Sequence, residues 1–189
     1  MREGDVYETL RAIAARLKEE GLEYAVIGGM ALVAHGYKRF TEDVDILLTP
    51  ETLQVFKEKF VGLGYVPAFP TASKSFRDAR TGVKIEVMTT GEYPGDGKPK
   101  PVVFPDPAQA RIECEGLWVL TLEKLIELKL ASGLSAPHRG KDLIDVQELI
   151  AILSLPSDLA EKLDDSVRAE YRRLWELAQY KDDGPHERE

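Results

Sequence analysis

Two short segments, Gly28-Gly29-Met30-Ala31 and Asp43-Val44-Asp45-Ile46, decide the fold of this chain, and thirteen residues separate the glycine pair from the first aspartate. The apolar run Tyr24-Ala25-Val26-Ile27 predicts a buried strand before the glycines, and a helix is expected over 30–35. A strand that turns into a helix exposes backbone N–H groups at a positive helix end, and glycine lets a ligand approach that backbone closely. The pair therefore predicts a phosphate site, although two glycines taken alone also fit an ordinary turn.

The two aspartates lie on a second predicted strand. Side chains alternate between the faces of a strand, so Asp43 and Asp45 share one face. Arg39 and Thr41 have the same parity and join that face if the strand extends back towards them. Two carboxylates held together repel unless a cation lies between them, and Mg²⁺ (or Mn²⁺) is a hard cation that also bridges to phosphates. The pair predicts a metal site; a solvated edge strand is the alternative.

A third carboxylate follows on the alternating segment Val83-Lys84-Ile85-Glu86-Val87, which predicts another strand. If this strand pairs beside the aspartate strand, Glu86 joins the metal site. Three carboxylates can hold two metal ions about 3.5–4 Å apart, an arrangement that clamps the attacking and leaving oxygens in phosphoryl and nucleotidyl transfer. A surface position on a half-buried strand is the alternative for Glu86 alone.

The rest of the chain predicts an α+β fold. Apolar periodicity indicates helices and strands before Thr121 and only helices after it. The expected helices cover 5–20, 30–35, 51–60, 121–133, 141–153 and 157–180, and the expected strands cover 24–27, 44–48, 65–69, 73–78, 83–88 and a hairpin over 110–120. We expect a core with a small mixed sheet flanked by helices over 1–119, a C-terminal helical lobe over 120–181 and a disordered tail over 182–189.

Composition excludes several classes of protein. The 189 residues carry 33 acidic and 25 basic side chains, and this net charge of −8 argues against broad coating of nucleic acid. The single cysteine, Cys114, excludes an internal disulfide and a cysteine-rich zinc site. No run approaches the roughly 20 apolar residues of a membrane span, and the first residues lack the layout of a signal peptide. We expect a globular cytoplasmic protein with no membrane partner.

The order of these motifs resembles the nucleotidyltransferase superfamily related to DNA polymerase β. Its signature is a Gly-Gly or Gly-Ser pair, a spacer, an Asp-x-Asp/Glu pair on a strand and a third strand carboxylate. Those positions fall here on Gly28, Gly29, Asp43, Asp45 and Glu86. The resemblance implies an α/β nucleotidyltransferase core in which the carboxylates bind Mg²⁺ (or Mn²⁺) and the glycines bind the phosphates of a nucleotide.

Within that superfamily the sequence resembles the AbiEii-like branch, which contains abortive-infection and type IV toxin-like enzymes. The run Arg39-x-Thr41-x-Asp43-x-Asp45 carries part of this resemblance. Members also have a helical lysine and a Lys/Arg-Asp-x-x-Asp helix, which match Lys129 and Lys141-Asp142-Leu143-Ile144-Asp145. The resemblance implies that Arg39, Thr41 and Lys129 contact the nucleotide and that a cognate antitoxin is a partner.

Helical geometry singles out Lys129 independently of the resemblance. At 100° per residue, this lysine shares a helix face with the apolar residues Leu122, Leu125 and Ile126. Lysine is rarely buried without a partner. Its ammonium could reach a triphosphate, or the side chain could extend to water at the helix end. Asp142 could orient this lysine, act as the base for an acceptor hydroxyl, or lie in the first turn of its own helix. We expect Asp145 to pair with Lys141 at i, i+4.

The leading hypothesis is a metal-dependent nucleotidyltransferase that moves an NMP from an NTP to a hydroxyl or phosphate. Asp43, Asp45 and Glu86 would hold the metal, and Asp142 would complete the catalytic set. By resemblance the acceptor is RNA, such as a tRNA end, or a protein, in a toxin–antitoxin or abortive-infection setting. The alternatives are an antibiotic-type adenylyltransferase of small molecules and a silent module that binds NTP or a protein partner.

Overall fold

The computed structural model describes residues 3–180, so the tail expected over 182–189 lies outside the described residues. Its strands are β1 Tyr24–Ile27, β2 Asp43–Leu48, β3 Tyr65–Pro67, β4 Ser75–Asp78, β5 Lys84–Thr89, β6 Arg111–Cys114 and β7 Leu117–Leu120. They form one mixed seven-stranded sheet in the order β3-β4-β5-β2-β1-β7-β6. The aspartate strand β2 lies at the centre, antiparallel to β1 and parallel to β5. This arrangement confirms the expected α+β class.

Six α-helices accompany the sheet in the described part of the chain: α1 Glu3–Glu19, α2 Gly28–Ala34, α3 Pro50–Phe60, α4 Leu122–Ser135, α5 Gly140–Leu153 and α6 Asp165–Gln179. Local chemistry sets their ends. For example, α3 begins where the Thr49 side chain accepts the N–H of Thr52, with Pro50 in the first turn. None of the described helices combines the length and the apolar character needed to span a membrane.

Helices α4, α5 and α6 pack against one another as the expected C-terminal helices. The single helix predicted over 157–180 is wrong, because a 3₁₀ turn over Ser157–Lys162 precedes α6. Asp164 caps α6 by accepting the N–H of Ser166, and its own N–H donates to Glu127 on α4 at 2.7 Å. An Asp at such a cap begins a helix and so interrupts any helix that precedes it. The division into a core over 1–119 and a lobe over 120–181 stays a prediction.

Candidate active site

Three carboxylates lie on one face of the two central strands. The parallel register of β2 and β5 places Asp45 opposite Glu86 and Asp43 opposite Lys84. Val44 and Ile85, one position along, are fully buried on the other face. The alternation predicted that Asp43 and Asp45 share a face, and the pairing of β2 with β5 brings Glu86 beside them as expected.

The carboxylate of Glu86 bonds to neighbouring side chains other than the two aspartates. Ser75 on β4 donates to Glu86 Oε1 at 3.2 Å, and Lys84 forms an ion pair with the same carboxylate. Within residues 3–180 no group of three or more His, Cys, Asp or Glu side chains is arranged as a ready-made metal site. A role of Glu86 in binding metal therefore stays a prediction.

The aspartate pair is under electrostatic strain that a cation would relieve. Burial, together with the Asp43 carboxylate, raises the pKa of Asp45 to about 6, against the lowering effect of the Gly29 N–H and Lys129. Burial also raises the pKa of Asp43, partly offset by Lys84. Carboxylate oxygens are the donors that Mg²⁺ and Mn²⁺ prefer. The donor set of Asp43 and Asp45 therefore fits a divalent cation.

This strain predicts a pH-dependent stability difference between the wild-type protein and Asp45→Asn. The folded pKa of about 6 exceeds the ordinary value of 3.8, so the proton stabilises the folded state at low pH and this contribution is lost as pH rises through about 6. Asparagine imitates the protonated acid and still accepts the Gly29 N–H. In EDTA, we expect Asp45→Asn to gain about 2 kcal/mol of unfolding free energy over wild type between ~pH 4 and ~pH 7.5. Urea unfolding across that range measures the difference; a pH-independent difference would contradict the raised pKa.

The glycine pair fits closely around the aspartates. Gly28 has a φ of +63°, and a Cβ on it would come within 2.0 Å of Asp45 Oδ2. A Cβ on Gly29 would come within 2.8 Å of Thr41 Oγ1, and this hydroxyl donates to the Asp43 carbonyl at 3.2 Å. Gly28 is therefore required for the approach of the Asp45 carboxylate, and Gly29 for the approach of the Thr41 hydroxyl. Their contact with phosphate stays a prediction.

Gly28→Ala is accordingly expected to disturb the site as well as the backbone. A left-handed φ costs an L-residue about 1–2 kcal/mol, and the clash with Asp45 adds to that cost. Gly62→Ala is the matched control, because Gly62 also has a positive φ (+85°) but a Cβ on it would meet nothing within 4 Å. In urea unfolding, Gly28→Ala should lose more stability than Gly62→Ala. In a nucleotide-binding assay, only Gly28→Ala should lose binding. Equal effects of the two substitutions would refute the steric argument.

A buried ionic network joins the loop before β2 to helices α4 and α5. Lys129 Nζ donates to Asp142 at 2.9 Å and to Asp145 at 2.7 Å. Arg39 donates to the other oxygen of Asp145 at 2.7 Å, and Arg139 donates to Asp142 at 2.9 Å. The lysine is only 9% exposed, and the two aspartates are 6% and 3% exposed. Lys129 is thus buried with partners rather than extended to water.

The network corrects the expectation for Asp145 and bears on the role of Asp142, which stays a prediction. Asp145, expected to pair with Lys141, instead bonds to Arg39 and Lys129. Burial would raise the pKa of Asp142, but Lys129 and Ser132 together with Arg139 hold it below its usual value. A carboxylate kept ionised by these partners is a weak base, so this geometry favours the orienting role for Asp142. Sequence reasoning missed Asp145 as a site residue, although its i, i+3 spacing from Asp142 places both on one helical face.

Two adjoining cavities share the aspartates. The Glu86 cavity, about 450 Å³, is lined by Gly28, Asp43, Asp45, Glu86 and Lys129 among others. The Arg39 cavity, about 380 Å³, adds Gly29, Arg39, Thr41 and Lys141. Asp142 borders both. All nine site residues expected from the sequence therefore line one or both cavities.

The comparisons with known proteins agree with this geometry. Residues 6–89 match the model of a family described as nucleotidyl transferases of unknown function. A search of curated proteins gave no match.

Several solved structures share the fold. A Thermotoga maritima protein assigned as a nucleotidyltransferase is 23% identical, with 76% of this chain and 93% of that chain covered and a TM-score of 0.54. A Helicobacter pylori protein with the same assignment is 19% identical, with 94% and 96% covered and a TM-score of 0.51. ANT(2″)-Ia in complex with adenylyl-2″-tobramycin is 16% identical, with 88% and 96% covered and a TM-score of 0.58. The chain therefore has the nucleotidyltransferase fold, and its segment 6–89, which holds the glycine pair and the three strand carboxylates, matches a nucleotidyltransferase family.

Proposed function

We propose that the protein transfers a nucleoside monophosphate from an NTP to an acceptor hydroxyl in a reaction that requires Mg²⁺ or Mn²⁺. One observation carries the proposal: Asp43, Asp45 and Glu86 share a face of adjacent strands, directly beside Gly28 with its left-handed backbone. Asp43 and Asp45 would hold the cation, with Glu86 as the third carboxylate. When bound, the cation would neutralise phosphate charge and polarise the phosphorus that is attacked.

The charge balance of the Arg39 cavity supports a requirement for metal. Its wall carries four cationic and five anionic side chains, so it holds no surplus of positive charge for a triphosphate. Three of its cations are already paired: Arg39 with Asp145, Lys129 with both Asp142 and Asp145, and Arg139 with Asp142. A polyanionic nucleotide would bind here only with accompanying cations.

The chain's own residues would position the triphosphate. Two of the three N–H donors of Lys129 are used by Asp142 and Asp145, which leaves one donor of the ammonium for a phosphate oxygen. Arg39 and Thr41 border the same cavity beside Gly29. Asp142 and Asp145 would hold the lysine in place rather than exchange protons. Catalysis would consist mainly of positioning and charge neutralisation.

The finer expectations of the resemblance remain proposals: an AbiEii-like subtype, an RNA or protein acceptor, a cognate antitoxin and a cytoplasmic location. A small-molecule adenylyltransferase is the second candidate. It is favoured by the fold shared with ANT(2″)-Ia, whose structure contains adenylyl-2″-tobramycin. A silent module that binds a protein partner without a metal ion is disfavoured, because two repelling carboxylates have no use in a site without a cation.

The proposed function is tested with purified full-length protein and each α-³²P-labelled NTP, in Mg²⁺ and in EDTA. Equilibrium dialysis measures NTP binding, and release of pyrophosphate measures transfer when acceptors are supplied. We expect Mg²⁺-dependent binding of at least one NTP and Mg²⁺-dependent transfer. Absence of NTP binding in Mg²⁺ would overturn the proposal, and binding without pyrophosphate release from any acceptor would favour a silent module.

A further inference from the structure

The strand order places the glycine pair and Glu86 on opposite sides of the two aspartates. Across the sheet, β1 leads into the glycine pair, β2 carries Asp43 and Asp45, and β5 carries Glu86. In phosphoryl transfer the attacking and leaving oxygens lie roughly in line on opposite sides of the phosphorus. If pyrophosphate leaves on the side of Gly29 and Arg39, the acceptor must approach from the side of Glu86. The Glu86 cavity is the space available there.

The wall of that cavity has a different chemistry from the Arg39 cavity. Beside its polar and charged side chains, six apolar residues supply surface: Ile27, Met88, Pro94, Phe104, Leu125 and Leu128. In the wall of the Arg39 cavity, Phe40 is the one apolar side chain among the described residues. A concave site of about 450 Å³ that combines apolar surface with convergent polar groups is typical of small-molecule binding.

The cations of the Glu86 cavity all take part in ion pairs. Within the described chain its positive side chains are Lys84, Lys129 and Arg139. Lys84 pairs with Glu86, and the other two pair with Asp142. Binding of a nucleic-acid strand depends on cations for its phosphates and on stacking aromatic rings. The spare donor of Lys129 is assigned to the triphosphate, so the described wall offers a nucleic-acid strand no unpaired cation and only one aromatic ring, Phe104.

The loop between β5 and β6 closes this cavity in a fixed position. Gly95 approaches α4 so closely that a Cβ on it would come within 2.7 Å of the Ser132 carbonyl oxygen. Within the loop, Lys100 Nζ donates a hydrogen bond to the Pro94 carbonyl oxygen at 2.6 Å. Backbone hydrogen bonds to Gly91 and Glu92, both at 2.9 Å, hold Phe104. Pro94 and Phe104 thus form a preformed part of the wall, which favours a compact ligand over an extended chain.

We infer that the Glu86 cavity binds the acceptor and that the acceptor is a compact, neutral or cationic hydroxyl compound without phosphate groups. This inference rests on the proposed function. The acceptor oxygen forms a bond to the α-phosphorus, the bond from that phosphorus to the bridging oxygen breaks, and pyrophosphate leaves. The proton of the acceptor hydroxyl is released to water.

The acceptor class is tested by offering three pools to the full-length protein with α-³²P-labelled NTP and Mg²⁺. The pools are total cellular RNA, the low-molecular-mass fraction of the same cells, and a defined mixture of glucosamine and 2-deoxystreptamine. Label on a small hydroxyl compound without phosphate supports the inference. Label on RNA, or on no small compound although NTP binds, overturns it and leaves the proposed NTP site intact. Loss of Mg²⁺-dependent NTP binding itself overturns the proposed function and the inference together.

A variant locates the acceptor in the cavity. Met88 lines the Glu86 cavity but not the Arg39 cavity, so Met88→Trp should fill the acceptor space. We expect at least a tenfold loss in kcat/KM for the acceptor, with the affinity for NTP within about twofold of wild type. Ile112→Trp on the exposed side of β6 is the matched control and should leave both values unchanged. Equal acceptor kinetics for wild type and a folded Met88→Trp, with thermal melting as the check on folding, would overturn the assignment of this cavity.

Discussion

The double variant Asp43→Asn/Asp45→Asn is expected to lose at least about 10³-fold in nucleotidyl transfer while remaining folded. Both side chains lie on the shared wall of the two cavities, and together they supply the charge that would hold the cation. Removing them also removes the buried charge and the repulsion by Asp43 that together raise the pKa of Asp45. The variant should therefore be at least as stable as wild type at neutral pH. Transfer of α-³²P label and urea unfolding measure the two effects.

A matched control removes the same charge at the same spacing elsewhere. Glu113 and Glu115 are exposed, lie two residues apart on the β6–β7 hairpin and do not border either site cavity. Glu113→Gln/Glu115→Gln should retain transfer within about twofold. Persistent transfer in the Asp43→Asn/Asp45→Asn variant would show that these carboxylates do not hold the catalytic cation.

Lys129→Met is expected to produce the second large effect, a loss of NTP binding accompanied by destabilisation. Removing the ammonium takes one partner from each of two buried carboxylates. Asp145 keeps Arg39 and Asp142 keeps Arg139, so the expected cost is about 2–3 kcal/mol rather than the full 3–5 kcal/mol of an isolated buried charge. Urea unfolding and equilibrium dialysis of NTP measure the two losses. Lys59→Met, which breaks an exposed ion pair with Glu20, should cost at most about 1 kcal/mol and leave NTP binding unchanged.

A second-site variant separates the structural role of Lys129 from its proposed role in binding phosphate. Lys129→Met/Asp142→Asn removes one of the carboxylates that pair with the lysine, and its other partner, Arg139, is half exposed and can be solvated by water. We expect it to recover part of the lost stability and none of the lost NTP binding. Recovery of binding together with stability would show that the lysine acts only through packing and not on the nucleotide.

Alternation and helical periodicity were sufficient for the outline of the fold and for one half of the site. Val44 and Ile46 are buried, whereas Asp43 and Asp45 are partly exposed. This alternation follows from the two-residue period of side chains along a strand, which does not depend on how the strand pairs with its neighbours. The position of Lys129 on an apolar helical face was visible in the same way. The broken C-terminal helix was not, because the cap at Asp164 is stabilised by Glu127, which lies 37 residues earlier in the sequence.

The sequence by itself determined which residues carry charge, which face of each strand or helix they occupy, and that Gly28-Gly29 precedes a carboxylate pair. These properties depend on neighbours a few residues away. Only the tertiary structure decided that Asp45 lies opposite Glu86, that Asp145 neutralises Lys129 and Arg39, and that an apolar wall faces the third carboxylate. Those contacts join residues 41, 16 and 106 positions apart, and they depend on how the strands pair and how the helices pack, which local periodicity does not specify.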